Sequence, residues 1–238
     1  MSHVVNTHRK SQKDLEWQIL RWGTHIGSLI PLALVVYDYF SFNLTANPIQ
    51  AATQRTGRTA ITLIVIMLAC TPINILFGTT IVTRLRKPLG LYALLYAGIH
   101  FIIFTIIDYG LVLPRIITTF SQKPYLLLGL ATFLVLILMG LTSFKWWIRK
   151  MGKNWRRLHS LVYPVSILIV FHYALAQKGD IFSLRGNIIK PVIYGIIILI
   201  LLAIRLPFVK KGLFKLRSKL NMHSINMKSN ISPEKSNL

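Results

Sequence analysis

Apolar residues in this chain neither alternate nor recur as a single helical stripe; they come in six long runs separated by short polar stretches. A helix crossing the hydrocarbon core of a bilayer needs about 20 mostly apolar residues. Six windows meet that length, at 22–40, 59–78, 91–109, 125–144, 158–176 and 188–208. Between them, 47–58, 84–90, 114–124 and 178–187 are rich in Pro, Gly, Asn and charge and are expected to be loops. The pattern predicts an all-α polytopic membrane protein whose six-helix bundle occupies 22–208. Segment 1–21 precedes the bundle, and a basic tail at 209–238 has the composition of a disordered one. The first apolar run is interrupted by His25, Pro31 and Asp38, so it is expected as a retained helix rather than a cleaved signal peptide. No internal repeat is visible.

Charge orients the bundle. Lys and Arg number 28 against 6 Asp and Glu, a net charge of +22. Such an excess can mark a nucleic-acid binder, but here the cations lie in short clusters between apolar runs, which excludes a nucleic-acid partner. One set of segments holds Arg9, Lys10 and Arg21, then Arg84, Arg86 and Lys87, then the six cations between Lys145 and Arg157, then the tail from Lys210; the opposite set is sparse. Cationic loops resist translocation, so both termini are expected in the cytoplasm. Trp22, Trp146, Trp147 and Trp155 fall near the cytoplasmic ends, as an interfacial belt would.

Composition narrows the chemistry. Cys70 is the only cysteine, which excludes an intrachain disulfide, thiolate metal clusters and covalent haem attachment through C-x-x-C-H. The six carboxylates are scattered, so no pair suited to hydrolysis is expected. Any redox cofactor is therefore expected to be held by histidine or by noncovalent packing. Four histidines fall in or at the edge of spans, His25, His100, His159 and His172, where a polar ring is expensive and points to function or to an interhelical hydrogen bond. With a rise of about 1.5 Å per residue, His100 lies about 14 Å along its span and His172 about 21 Å along its own, close enough to clamp one iron after small boundary shifts. His159 lies near the cytoplasmic surface. Thirteen residues separate it from His172, a rotation of about 220° on a straight helix, although Pro164 between them can change the phase. His25 is assigned to packing or a hydrogen bond, and Gly57 and Gly98 are candidates for close approach of a planar group.

The run Arg55-Thr-Gly-Arg-Thr59, then Cys70-Thr-Pro72, then Arg84-Leu-Arg-Lys-Pro-Leu-Gly-Leu-Tyr-Ala93 leading to His100, and Trp155-Arg-Arg-Leu-His-Ser-Leu-Val-Tyr163 with His172, resembles the haem-binding membrane subunit of the bacterial periplasmic methionine sulfoxide reductase system. That family lies within the ferric-reductase-like transmembrane superfamily. The resemblance covers about residues 20–208. It implies an electron conduit: electrons enter from the quinone pool or a cytoplasmic flavin reductase, pass through haem b, and leave to a periplasmic molybdenum-containing partner that repairs oxidised methionines. It carries haem-associated roles to His100, His159 and His172, with His100 and His172 as the axial pair on iron. His159 then serves a second haem or a cytoplasmic entry site. Oxidase relatives stack two haems, yet 14 residues before His100 this chain has Arg86, which is not a neutral nitrogen ligand. The resemblance also implies FMN, whose phosphate Arg86 and neighbouring cations would meet. After Phe208 there is no G-x-G-x-x-G fingerprint, so the electrons are expected to come from another molecule. Two rival readings remain: direct reduction of external ferric or cupric ions, and a small transporter with intramembrane histidines.

Overall fold

The computed structural model describes residues 2–177, 179–180, 185–186, 188–213, 215 and 218, with side chains from residue 14 onward except in 178–187. The expectations for the 178–187 loop and for the tail beyond 218 therefore fall outside the described residues, apart from a two-residue ladder. In it β1 (Gly179–Asp180) pairs antiparallel with β2 (Arg185–Gly186), Gly179 opposite Gly186.

The rest is helical. α1 spans Ser2–Phe40, and α2 (Pro48–Phe77) leads through a 3₁₀ turn at Thr80–Leu85 into α3 (Arg86–Ile102), which continues as a π-helical segment at Ile103–Asp108. A short α4 (Leu113–Gln122) precedes α5 (Pro124–Leu141). Two short helices, α6 (Lys145–Met151) and α7 (Lys153–Ser160), lead into α8 (Val162–Ala176), and α9 covers Ile189–Ala203. Five stretches are long and apolar enough to cross a membrane: Asp14–Phe40, Pro48–Phe77, Thr80–Asp108, Pro124–Leu141 and Lys153–Ala176. The pair Ile189–Ala203 and Pro207–Leu213, bent by 77°, makes a sixth if counted as one span. The protein is an all-α, multi-pass membrane bundle. Its burial pattern agrees, because Leu127, Leu134, Leu138 and Leu141 of α5 and Ile193, Ile196 and Ile200 of α9 all face outward. An aqueous surface would not carry so continuous an apolar face.

Three stretches expected as loops are helical; one of them, 84–90, runs from the 3₁₀ turn into the first residues of α3. Residues 48–58 form the first turns of α2, because Asn47 caps it, its side chain accepting from the Gln50 amide at 3.0 Å, and Pro48 supplies the fixed φ of a first helical position. Residues 113–122 form α4, with Pro114 at its start and threonine hydroxyls returned to carbonyls one turn back. In the last two, polar composition masked a helical segment at the end of the bundle. α2 stops at Gly78, whose φ of 71° only a residue without Cβ adopts cheaply.

The packed centre is made by α2, α3, α8 and α9, with Ile61, Ile64, Leu68, Ala93, Tyr96 and Ile198 nearly inaccessible. Its polar groups are met across helices: the Tyr96 hydroxyl donates to Ser28 O at 2.7 Å, and Thr62 Oγ1 and the Tyr194 hydroxyl lie 2.7 Å apart. Such bonds hold helices together where lipid offers no partner.

Candidate functional site

α2 runs antiparallel to α3, and α5 antiparallel to α8, so the starts of α2 and α5 meet the ends of α3 and α8. His100 lies near the end of α3 and His172 near the end of α8. Their ring centroids are 6.3 Å apart with planes at 89°. The depths read from the sequence differed by several ångströms; here the rings share one level, because the two spans begin at Thr80 and Lys153, so that His100 and His172 lie nearly the same number of residues along them.

Each ring is held in the same way. His100 Nδ1 lies 2.8 Å from Thr53 O, and His172 Nδ1 lies 2.7 Å from Tyr125 O. A carbonyl only accepts, so Nδ1–H donates in both and the lone pair resides on Nε2, the tautomer of a metal-ligating histidine. In a regular α-helix those carbonyls also take the amides four residues on, Gly57 and Gly129; the imidazoles use the second lone pair. Glycine leaves no room to spare at either place, least of all at Gly129. A Cβ on Gly57 would lie 3.0 Å from His100 Nδ1, and one on Gly129 would lie 2.6 Å from Cε1 of His172. A Cβ on Gly98 would meet no atom of the chain within 4 Å, and Gly98 does not line the cavity described below. Gly129, Thr53 and Tyr125 were missed by sequence reasoning; the signal for Gly129 is a glycine inside a leucine-rich span.

The rings look into a cavity of about 460 Å³ whose walls include Ile61, Ile64, Phe101, Phe133 and Leu136. It opens at the end of the bundle marked by Asn47, Gln177 and Lys190. No repeat is visible in the sequence, yet the lining recurs at a fixed offset of 72 residues: Thr53 and Tyr125, Gly57 and Gly129, Ile64 and Leu136, Ala97 and Ile169, His100 and His172. Two helix pairs thus present equivalent walls to one space. The π segment begins three residues after His100, a feature frequent beside functional residues.

Two imidazoles are too few ligands for a bare ion, and among the described residues no group of three or more His, Cys, Asp or Glu could hold one. They suit an iron whose remaining positions are filled by a macrocycle. Two metal–imidazole bonds of about 2 Å together with the ring radii span roughly 6 Å, the separation found. Apolar walls, glycine-relieved approaches and the Nε2 tautomer all fit haem.

His159 is placed elsewhere. Its Nε2 lies 3.2 Å from Thr142 Oγ1, and its ring stacks on Trp155 at 4.1 Å. Thr142 gives its own proton to Leu138 O, so His159 Nε2–H is the donor. Like His172, His159 meets the α5 side: the helix is broken at Leu161 and Pro164 follows, which offsets the rotation of a straight helix. Arg86 stands at the start of α3, exposed, its guanidinium donating to Thr71 Oγ1 at 2.9 Å. His25 bonds Tyr92 at 2.9 Å between α1 and α3.

Residues 56–170 match the family described as ferric reductase like transmembrane component. The chain is 34% identical over 187 residues to the protein-methionine-sulfoxide reductase heme-binding subunit MsrQ of Xanthomonas euvesicatoria pv. vesicatoria, covering 76% of this chain and 83% of that one. The protein of the same name from Xanthomonas campestris pv. campestris (strain 8004) is 33% identical over 177 residues, with 72% and 81% covered. The one from Bordetella pertussis is 29% identical over 180 residues, with 76% and 85% covered.

Proposed function

Because the chain belongs to the family of heme-binding subunits of protein-methionine-sulfoxide reductase, we propose that it carries electrons across the bacterial inner membrane through haem b held by His100 and His172. The observation that carries this reading is the pair of facing imidazoles, 6.3 Å apart, each with Nδ1 turned to a main-chain carbonyl. Haem, when bound, supplies a one-electron couple. The chain's own residues do the rest. Thr53 O and Tyr125 O fix the tautomer, Gly57 and Gly129 admit the rings, and the apolar walls keep water from the centre and so influence its potential.

Both termini are cytoplasmic in this reading, supported by the gathering of Lys and Arg at one end of the bundle. The open end of the cavity then faces the periplasm, where a molybdopterin-containing methionine sulfoxide reductase catalytic subunit receives the electrons. They enter at the basic end from the quinone pool or a cytoplasmic flavin reductase. His159 serves that entry, through a second haem or as part of the path, and Arg86 with its neighbouring cations receives the phosphate of FMN. This chain is the conduit and the catalytic step belongs to the partner.

The test is a pyridine haemochrome assay per chain together with the reduced spectrum of purified protein. The b-type spectrum is expected in the wild type and lost in His100→Ala and in His172→Ala. A spectrum unchanged in both variants refutes the ligand assignment.

A further inference from the structure

The haem reading leaves open how the macrocycle is turned in its cavity, and the lining answers that by a break in its own symmetry. Positions 72 residues apart present similar walls from the two helix pairs. By themselves such walls would accept a planar group with either edge toward α2. At one pair the walls differ in charge: Arg58, next to Gly57, lines the cavity from α2, whereas its counterpart Leu130, next to Gly129, lines it from α5. One turn earlier the contrast repeats, with Gln54 against Leu126.

The placement of Arg58 suits an anion in the cavity. Helical side chains tilt toward the helix N-terminus, and Arg58 follows that tilt, its Nε donating to Gln54 O at 3.3 Å. The guanidinium therefore leans toward the open end. Arg55, three residues earlier on the same helix, is paired with Asp38. Arg58 has no ion pair among the described residues, and neither does Lys190, which joins the lining from the start of α9. Asp108, the acidic residue of the lining, is paired with neither cation. A half-exposed guanidinium that lines the cavity, with no counter-ion among the described residues, is available to an anion bound there.

We propose that Arg58, assisted by Lys190, binds the carboxylate edge of haem b and so fixes that edge on the α2 side of the cavity, leaving the apolar edge to the leucines of α5. The inference rests on haem occupying the cavity, and its test separates the two claims. The full-length apoprotein in nanodiscs is titrated with protohaem and with its dimethyl ester, which keeps iron and ring but lacks the charges. A charged hydrogen bond at a half-exposed site predicts about tenfold tighter binding of the diacid by the wild type. Arg58→Gln should bring the two affinities together, Arg58→Lys should keep most of the preference, and Lys190→Gln should reduce it less than Arg58→Gln does. Equal affinity for both compounds in the wild type overturns the proposal while leaving haem in place; a wild type that binds neither removes the haem reading itself. A preference that survives Arg58→Gln overturns the role of Arg58. Should Arg58→Gln fail to fold, the wild-type comparison and Arg58→Lys still decide.

Discussion

The two histidines at the open end and the one at the basic end lie in the same bundle but use their nitrogens in opposite ways. His100 and His172 commit Nδ1 to main-chain carbonyls and face each other across a cavity. His159 commits Nε2 to a threonine hydroxyl and lays its ring on Trp155. The first arrangement leaves the usual ligating atom outside that hydrogen bond, with a second imidazole 6.3 Å away between ring centroids. The second uses that atom for local structure. Membrane depth alone marks a histidine as expensive; which nitrogen is already engaged, and what lies opposite, distinguishes the pair proposed as ligands from the ring proposed at the entry side.

The contrast can be broken most severely at Gly129. Its added Cβ would stand 2.6 Å from Cε1 of His172, and overpacking of this kind costs about 1–3 kcal/mol. Gly129→Ala should therefore lower haem occupancy or affinity by tenfold or more, read by haem titration of the apoprotein. Gly57→Ala, at 3.0 Å from a ring that can give slightly, should act in the same direction by less, under about 1.5 kcal/mol. At the other end, Thr142→Val removes the acceptor of His159. It should leave the His100–His172 spectrum unchanged while shifting any signal that depends on His159, at a stability cost of about 1 kcal/mol. The smallest effect is expected from Tyr92→Phe, which removes the His25 bond between α1 and α3. That change should lower thermal stability by about 0.6 kcal/mol and leave haem content intact. A Gly129→Ala protein with wild-type haem affinity would show that the close approach at α5 is not needed.

Much of the bundle was legible in the sequence because lipid imposes a length and a composition on every span. The ends were not: α4 and the first turns of α2 carry loop-like composition, and capping by Asn47 with Pro48 at the first helical position decides the latter. His100 and His172 stood out as rings at depth. Their supports did not, since Thr53 and Tyr125 contribute through main-chain oxygens that every residue possesses. The equivalence of the two helix pairs was hidden for a related reason. Its recurring elements are a carbonyl, a missing Cβ and an imidazole, and only the last two leave a letter in the sequence, once each per half.

The use of main-chain acceptors has an evolutionary corollary. Substitution at Thr53 or Tyr125 changes a side chain but cannot delete the oxygen that orients the neighbouring ring, so this hydrogen bond does not itself dictate the residue at either position. Selection on ligand geometry then falls on the glycine one turn later and on the histidine 43 residues beyond it, and a search for kindred centres should weigh that sparse pair above the identity of the residue that supplies the bond.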